Sequence, residues 1–269
     1  MQSQNIRTKL VSIFKDTIEM IGASEKLRNA VANANETVLY LEGETPTFEH
    51  GDCKTTYDVT KHRSFEAAGL LKKQFPGSKI AVLNFASARH PGGGVESGSR
   101  AQEESLCRCS TLFPYLNRRE LLDNYYKIHN MAKNPLYTDG CIYTPNIYVI
   151  KSDTDFPERL PESEWFAVDV LTCAAPNLMH VESFPDEELY KLHEKRIRHI
   201  LSIAAANKEE ILVLGAFGCG AFMNDPKVVA KAFKDVLKEF EGCFKHIEFA
   251  IYCNSRETEN FDAFEREFA

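Results

Sequence analysis

The chain has 269 residues, a net charge of −7 and 43% hydrophobic residues. That hydrophobic fraction excludes an intrinsically disordered chain, and the length suffices for one large α/β core. The negative charge argues against sequence-specific nucleic-acid binding, because a nucleic-acid surface needs clustered Lys and Arg. An anionic ligand would therefore have to be held locally.

The first 36 residues are predicted to be helical. Apolar residues recur at helical spacing from Leu10 to Ile21, and a second helix is expected to extend to about Asn35. Acidic residues interrupt this pattern, so it does not resemble a secretory signal, and no apolar run in the chain is long enough for a membrane span. We expect a cytoplasmic protein without membrane contact, in which this extension (residues 1–36) packs on the core.

Strands and helices are predicted to alternate over residues 37–269. Asp225 is expected to cap a helix whose first turn contains Pro226, and another helix begins with acidic residues at Asp186. Lys195 and Arg196 are predicted to lie on an exposed helix face. The alternation predicts a single domain with a helix-covered, largely parallel sheet. The predicted strands are TVLYLE, KIAVLNFA, CIYTPNIYVIK, WFAVDVLTCAA, ILVLGAFG and IEFAIYC.

Two glycine-rich segments, NFASARHPGGGVESGS and GAFGCGAFMNDP, follow predicted strands. Ligands bind beyond the carboxyl ends of parallel strands, and glycine lets backbone amides approach an anion closely. Two such loops facing each other predict a diphosphate site without lysine. The alternative is that the glycines only form tight turns. Ser99 and Arg100 stand where a P-loop requires Lys and Ser or Thr, so phosphoryl transfer of that type is excluded.

Two adjacent acids, Glu103 and Glu104, follow the first glycine-rich segment. In a helix that begins near Gln102, Glu104 points away from the apolar face and Glu103 lies between the two faces. The alternative is that the acids only stabilise the helix N-terminus. Beside a diphosphate site, a carboxyl group here predicts glycosidic cleavage of a nucleotide sugar. The apolar face is expected to consist of Leu106, Cys109, Phe113 and Leu116.

The eight cysteines are scattered and are predicted to be reduced thiols. Cys107 and Cys109 are two positions apart on the predicted helix, where their side chains diverge by about 200° and do not share a metal easily. We find no set of metal-ligand residues near the two acids. The sequence therefore predicts no metal and no cofactor.

Gly92-Gly93-Gly94, followed after seven residues by Gln102-Glu103-Glu104, resembles the GGG-x(6–8)-QEE signature of bacterial-type poly(ADP-ribose) glycohydrolases. NFASARHPGGG, VLTCAAPN and GAFGCGAFMNDP also resemble that family in the same order, from about residue 37 to residue 255. The resemblance implies a macrodomain-like three-layer α/β/α fold with a central mixed, largely parallel sheet. It further implies a glycosidase that releases ADP-ribose from polymers, acting at chain termini.

The resemblance also implies roles for individual residues. Glu104 would protonate the leaving ribose oxygen and then deprotonate the attacking water, while Glu103 would hold the ribose hydroxyls. The implied substrate-binding residues are Asn84, Gly92, Gly93, Gly94, Val95, Gln102, Gly218, Cys219, Gly220, Ala221 and Phe222.

The alternatives are a non-catalytic ADP-ribose-binding macrodomain and a hydrolase of single ADP-ribosyl marks on protein or nucleic acid. A third hypothesis is that the N-terminal helices recruit a partner. The expected partners are ADP-ribose and ADP-ribosylated macromolecules, and the protein is expected to be a monomer.

Overall fold

The computed structural model describes residues 2–32 and 36–268, which form one seven-stranded sheet covered by helices. The strands are β1 Val38–Tyr40, β2 Thr56–Thr60, β3 Ile80–Phe85, β4 Cys141–Val149, β5 Phe166–Cys173, β6 Ile211–Leu214 and β7 His246–Ala250. The helices are α1 Gln2–Ala23, α2 Glu25–Ala32, α3 Ser64–Gln74, α4 Gln102–Cys109, α5 Leu112–Leu116, α6 Arg119–Leu121, α7 Lys127–Ala132, α8 Asp186–Ala206, α9 Pro226–Leu237 and α10 Glu259–Phe268.

The strands follow the order β1-β4-β5-β3-β6-β7-β2. β1 and β5 pair with β4 in antiparallel orientation, whereas the pairings among β5, β3, β6, β7 and β2 are parallel. The expected mixed, largely parallel sheet is therefore confirmed. β2 is an additional strand that the sequence analysis missed, and it lies at the edge of the sheet.

Alternate residues of the central strands face two different helical layers. Ala81 and Leu83 of β3 belong to a core built with α8, α9 and α10. Ile80 and Val82 belong to a second core built with α3, α4 and α5. The central strands are buried on both sides, as expected for parallel strands between helices. This arrangement is the predicted three-layer α/β/α fold.

The N-terminal helices pack on the second core. Phe14 of α1 lies edge-to-face against Phe113 of α5, with ring centroids 5.0 Å apart. The Thr17 hydroxyl donates to the Arg108 carbonyl oxygen at 2.5 Å, and Lys151 Nζ donates to the Ile13 carbonyl oxygen at 2.7 Å. α2 ends at Ala32, and the remainder of the predicted second helix, residues 33–35, lies outside the described residues.

The helix predicted from Gln102 is shorter than expected. It stops at Cys109, because Ser110 is extended and pairs with Val149 of β4. The Thr111 backbone amide donates to the Tyr148 carbonyl oxygen at 3.0 Å. This hydrogen bond directs the chain to the sheet before α5 begins. The predicted apolar residues are all buried, but they belong to two helices.

Arg196 is not on an exposed helix face as predicted. Its side chain is buried, and its guanidinium donates to the carbonyl oxygens of Ala174, at 3.1 Å, and of Leu136. Carbonyl oxygens thus satisfy a buried cation that helical periodicity alone places at the surface. Arg196 thereby ties α8 to the segment that follows β5.

Candidate active site

A cavity of about 390 Å³ opens at the carboxyl ends of β3 and β6. The first glycine-rich loop (residues 86–101) connects β3 to α4, and the second glycine-rich loop (residues 215–225) connects β6 to α9. Both loops and the start of α4 line the cavity, as expected for a ligand site in a parallel sheet. Its lining includes Ser87, Glu103, Glu104, Gly218, Ala221 and Phe222.

The first glycine-rich loop uses its backbone amides within the protein. The Gly93 amide donates to the His90 carbonyl oxygen at 3.0 Å, and the Val95 amide donates to the Gly92 carbonyl oxygen at 3.1 Å. The Gly94 amide donates to Glu104 Oε1 at 2.8 Å. These amides therefore hold a turn and a carboxylate in place.

Position 93 requires glycine for two reasons, its backbone conformation and the close approach of neighbouring side chains. Its φ of +58° lies in the left-handed region that favours glycine. A Cβ atom at this position would lie 2.4 Å from Glu104 Oε1 and 3.0 Å from Glu103 Oε2. The glycine run therefore allows the backbone to approach both carboxyl groups.

Glu103 is almost completely buried, with 2% of its surface exposed. Its Oε2 accepts a hydrogen bond from the Ser87 amide at 2.7 Å, and Asn84 Nδ2 lies 3.4 Å from Oε1. Burial raises the pKa of Glu103 to about 8, and the neighbouring Glu104 charge adds to this rise, while the hydrogen bonds from Ser87 and Asn84 oppose it. The neutral carboxylic acid therefore predominates at pH 7.

Glu104 is buried, and only one of its two carboxyl oxygens has a hydrogen-bond partner among the described residues. The Gly94 amide fixes Oε1, whereas Oε2 has no hydrogen-bond partner among the described residues. Buried polar atoms are usually satisfied, and unsatisfied ones concentrate where a ligand or a reaction completes them. Since Glu104 lines the cavity, this carboxyl group is placed to exchange a proton with a bound molecule.

The second glycine-rich loop differs in its hydrogen bonding. The Met223 amide donates to the Gly220 carbonyl oxygen at 3.0 Å, which closes a turn. Within the described part of the chain, the amides of Gly220, Ala221 and Phe222 have no hydrogen-bond acceptor. These three residues line the cavity. Successive backbone amides can bind an anion such as a phosphate group when their N–H groups converge.

The predicted site residues have different surroundings. Glu103, Glu104, Gln102, Gly218, Gly220, Ala221 and Phe222 line the cavity, and Asn84 lies behind Glu103. The Gln102 side chain is hydrogen-bonded to the backbone of β3. It accepts from the Phe85 amide at 2.9 Å and donates to the Leu83 carbonyl oxygen at 2.7 Å. Val95 is fully buried in the second core.

Cys219 is half-buried and packs against the first core rather than lining the cavity. Burial raises the pKa of its thiol, so the thiolate that a nucleophile requires is disfavoured. Gly92 also lies behind the acids, where a Cβ atom would lie 2.8 Å from the Phe113 ring.

Sequence reasoning missed several residues that line the cavity. Arg63 and Tyr252 lie together at its edge, with the guanidinium 3.9 Å from the ring centroid. Asp153 accepts from the Ser105 hydroxyl at 2.8 Å and from the Phe65 amide at 3.0 Å, which joins α4 to α3. Arg63 follows β2. Because β2 was not predicted, the segment after it was not assigned to the site.

Among residues 2–32 and 36–268, no group of three or more His, Cys, Asp or Glu is arranged to hold a metal ion. No described helix combines the length and apolar character needed to cross a membrane. All eight cysteines are free thiols.

The fold and the site define a macrodomain-like α/β protein with paired glutamates in its ligand cleft. Poly(ADP-ribose) glycohydrolase from Thermomonospora curvata has a similar crystal structure, with a TM-score of 0.87 and 33% identity, covering 97% of this chain and 100% of that one. The same protein bound to the inhibitor ADP-HPD matches with a TM-score of 0.83, 33% identity and the same coverage.

Poly(ADP-ribose) glycohydrolase from Deinococcus radiodurans, in complex with ADP-ribose, matches with a TM-score of 0.78 and 35% identity, covering 88% of this chain and 96% of that one. The family model of the microbial-type PARG catalytic domain matches residues 13–152. No curated protein matches the sequence. The chain belongs to the microbial-type poly(ADP-ribose) glycohydrolase family.

Proposed function

We propose that this protein hydrolyses the ribose–ribose O-glycosidic bonds of ADP-ribose polymers and releases ADP-ribose. Membership of the glycohydrolase family supports this activity. The observation that carries it is the geometry of Glu104, whose Oε1 is fixed by the Gly94 amide while its buried Oε2 has no protein partner. Such a carboxyl group suits proton transfer to and from a substrate oxygen.

The second glycine-rich loop is proposed to bind the diphosphate of ADP-ribose. The amides of Gly220, Ala221 and Phe222 have no acceptor among the described residues, and they lie in the cavity that also contains the two acids. Backbone dipoles bind an anion without a lysine, which suits a chain of net charge −7. Phe222 packs against the ligand, and Gly218 shapes the turn.

In the proposed reaction, Glu104 carries a proton when the substrate is bound and donates it to the ribose oxygen that leaves as its bond to the anomeric carbon of the terminal ADP-ribose breaks. The bonding electron pair remains on the leaving oxygen, and the sugar passes through an oxocarbenium-like state. Water attacks the anomeric carbon and returns its proton to Glu104. Glu103 and Asn84 orient the ribose, with Glu103 available as a neutral hydrogen-bond donor at pH 7.

The remaining roles follow from the packing. We propose that Gln102 stabilises the end of β3 through its side-chain hydrogen bonds. The backbone of residues 92–95 is proposed to pack behind Glu104 and to position it beside the substrate ribose. These residues are Gly92, Gly93, Gly94 and Val95. Cys219 supplies a small residue between two glycines. Neither of the two acids needs a metal or a cofactor for these steps.

We further propose that the substrates are ADP-ribosylated macromolecules and that chain termini are preferred. The cavity of about 390 Å³ is within the range of sites for one small ligand. The protein is proposed to act as a cytoplasmic monomer. We propose residues 37–269 as the catalytic domain and residues 1–36 as a helical extension packed on it, although the family match itself begins within α1, at residue 13.

The activity is tested with poly(ADP-ribosyl)ated protein, by measuring released ADP-ribose for the wild type, Glu104→Gln and the exposed control Glu96→Gln. We expect Glu104→Gln to lower kcat about 10³-fold, because general acid catalysis contributes this much, while the calorimetric Kd for ADP-ribose changes less than about threefold. Equal rates for Glu104→Gln and wild type would contradict the role of Glu104. Binding without turnover by the wild type would indicate a binding module, and turnover of single marks alone would indicate a mono-ADP-ribosyl hydrolase.

A further inference from the structure

Asn224, at the end of the second glycine-rich loop, is a buried residue that the proposed reaction does not use. Its side-chain Nδ2 donates to the Phe222 carbonyl oxygen at 2.9 Å and to the Pro176 carbonyl oxygen at 2.7 Å. Its backbone amide donates to the Gly218 carbonyl oxygen at 3.1 Å. Asn224 therefore joins both ends of the loop and fixes it to the segment that follows β5.

His193 of α8 holds the other side of the Asn224 amide. His193 Nε2 lies 2.6 Å from Asn224 Oδ1, and both side chains are buried. The two carbonyl partners of Asn224 only accept hydrogen bonds, so its NH₂ group must face them and its oxygen must face His193. Nε2 of His193 therefore carries the proton and donates it.

The His193 ring is neutral in this arrangement. Burial lowers its pKa to about 4, and the hydrogen bond to Asn224 opposes this shift. His193 Nδ1 is buried without a partner among the described residues, and the ring lies edge-on to Phe217 at 5.7 Å. Because both side chains are buried, loss of the His193 donor would leave the Asn224 oxygen without a partner, which is unfavourable.

We infer that the His193–Asn224 pair is the positioning device of the second glycine-rich loop. By fixing Phe222 and Gly218, it sets the position of the amides between them and thereby the affinity for the diphosphate of ADP-ribose. This consequence for affinity rests on the proposed function. Both are positioning residues, since neither lines the cavity.

The first experiment measures the loop itself in the ligand-free protein. Hydrogen exchange is followed in the peptide covering residues 216–224, which contains the hydrogen-bonded amides of Cys219, Met223 and Asn224. We expect His193→Leu to accelerate this exchange at least about tenfold, since the donor to Asn224 is lost. His193→Gln keeps an N–H donor of similar reach and is expected to restore slow exchange.

His199→Leu is the matched control. His199 is a second buried histidine of α8, and its charged neighbour is Asp139, 3.4 Å away, rather than the loop. This variant controls for the loss of a buried ring from the same helix, and it should leave exchange in residues 216–224 unchanged. Unchanged exchange in His193→Leu, or equal acceleration in both leucine variants, would overturn the inference.

The second experiment measures ADP-ribose affinity and steady-state kinetics on the same variants. We expect His193→Leu to raise Kd and KM about tenfold with kcat within about threefold, and His193→Gln to rescue the affinity. Faster loop exchange with unchanged affinity would overturn the link to binding. If the wild type does not bind ADP-ribose, the proposed function fails, whereas the exchange experiment still decides whether the pair fixes the loop.

Discussion

The two glycine-rich loops have similar composition and equivalent positions, but they are held by opposite means. The first is held by an acid, because the Gly94 amide binds Glu104 and the Ser87 amide binds Glu103. The second is held by a neutral amide, Asn224, and leaves its central amides without protein acceptors. Glycine content alone does not distinguish these two uses of the backbone.

In the proposed function, this difference assigns catalysis to the first loop and diphosphate binding to the second. An amide that already binds a carboxylate is not free to bind a phosphate, since each N–H has one proton to donate. We therefore propose that the first loop orients the reacting group and that the second loop provides the anion site. Substitutions in the first loop should lower kcat, and substitutions in the second should weaken affinity.

Among substitutions in the two loops, the largest expected effect comes from Gly93→Ala in the first loop. The new methyl group would meet Glu104 Oε1 at 2.4 Å with the backbone at a φ of +58°, so the carboxyl group must move. We expect kcat to fall at least about 10²-fold, while the Kd for ADP-ribose changes less than about fivefold. A fall in affinity with kcat preserved would reverse the roles of the two loops.

A large effect on stability is expected where α1 supports the first loop. Phe14 is 5% exposed and packs on Phe113, which in turn lies against Gly92. Phe14→Ala should lower the free energy of unfolding by about 3–5 kcal/mol through cavity formation. Denaturant unfolding measures this change, with Ile18→Ala as the more exposed control on the same helix. A loss below about 1 kcal/mol would contradict the packing of the extension on the catalytic domain.

Gly218→Ala tests whether displacing the second loop weakens binding without lowering kcat. Its φ is +82°, and a Cβ atom would lie 2.5 Å from Ala175 Cβ and 3.1 Å from the Asn224 amide. We expect the Kd for ADP-ribose to rise about 10- to 50-fold with kcat at saturation within about threefold. Gly77→Ala is the control, because Gly77 has a similar φ of +85° but open space around it. Equal losses of affinity in both variants would indicate general strain instead of loop displacement.

A pH dependence of stability is also expected. Burial raises the pKa of Glu103 from the usual 4.5 to about 8, and burial together with the Asp169 charge does the same for Glu209. A raised folded-state pKa gives stability that is fully present below about pH 4.5 and lost as the pH rises through about 8. We expect the Tm to fall between pH 6 and pH 9.

Glu103→Gln and Glu209→Gln should each flatten this Tm profile, and the double variant should flatten it further. The second loop offers the contrast, because the pKa of His193 is lowered to about 4 and its hydrogen bond does not titrate in this range. A profile of the same slope in Glu103→Gln and wild type would contradict a neutral Glu103 in the folded protein at pH 6.

The sequence predicted the central strands because residues buried on both faces form unmistakable apolar runs, as in Ile80–Phe85. It missed β2, Thr56–Thr60, because an edge strand is half solvated and its residues are mostly polar and exposed. Missing β2 affected the prediction of the site as well as the prediction of the fold. The segment after β2, which contains His62 and Arg63, lines the cavity.

Helical periodicity located Glu103 and Glu104 but misjudged their surroundings. Periodicity assumes one buried and one solvent-facing side, whereas almost the whole circumference of α4 is buried, including Arg108, by the sheet on one side and α1 on the other. The two carboxyl groups are therefore much less solvated than a surface helix would make them. Burial of this kind depends on tertiary packing, which spacing does not encode.

The pair His193 and Asn224 also lay beyond sequence reasoning. Asn224 stands directly before the cap residue Asp225, which was predicted and does accept from the Lys227 amide at 2.7 Å. Nothing in a single sequence links Asn224 to a histidine 31 positions earlier. Such links follow from the meeting of α8 with the loop after β6.

The most direct test of the division between the loops is a crystal structure of the protein with ADP-ribose. We expect diphosphate oxygens within about 3.2 Å of at least two of the amides of Gly220, Ala221 and Phe222, and Glu104 Oε2 within about 3.5 Å of the hydroxyl on the anomeric carbon. A diphosphate bound to the amides of Gly93 and Gly94, or a Glu104 carboxyl group more than about 6 Å from the ribose, would contradict the account.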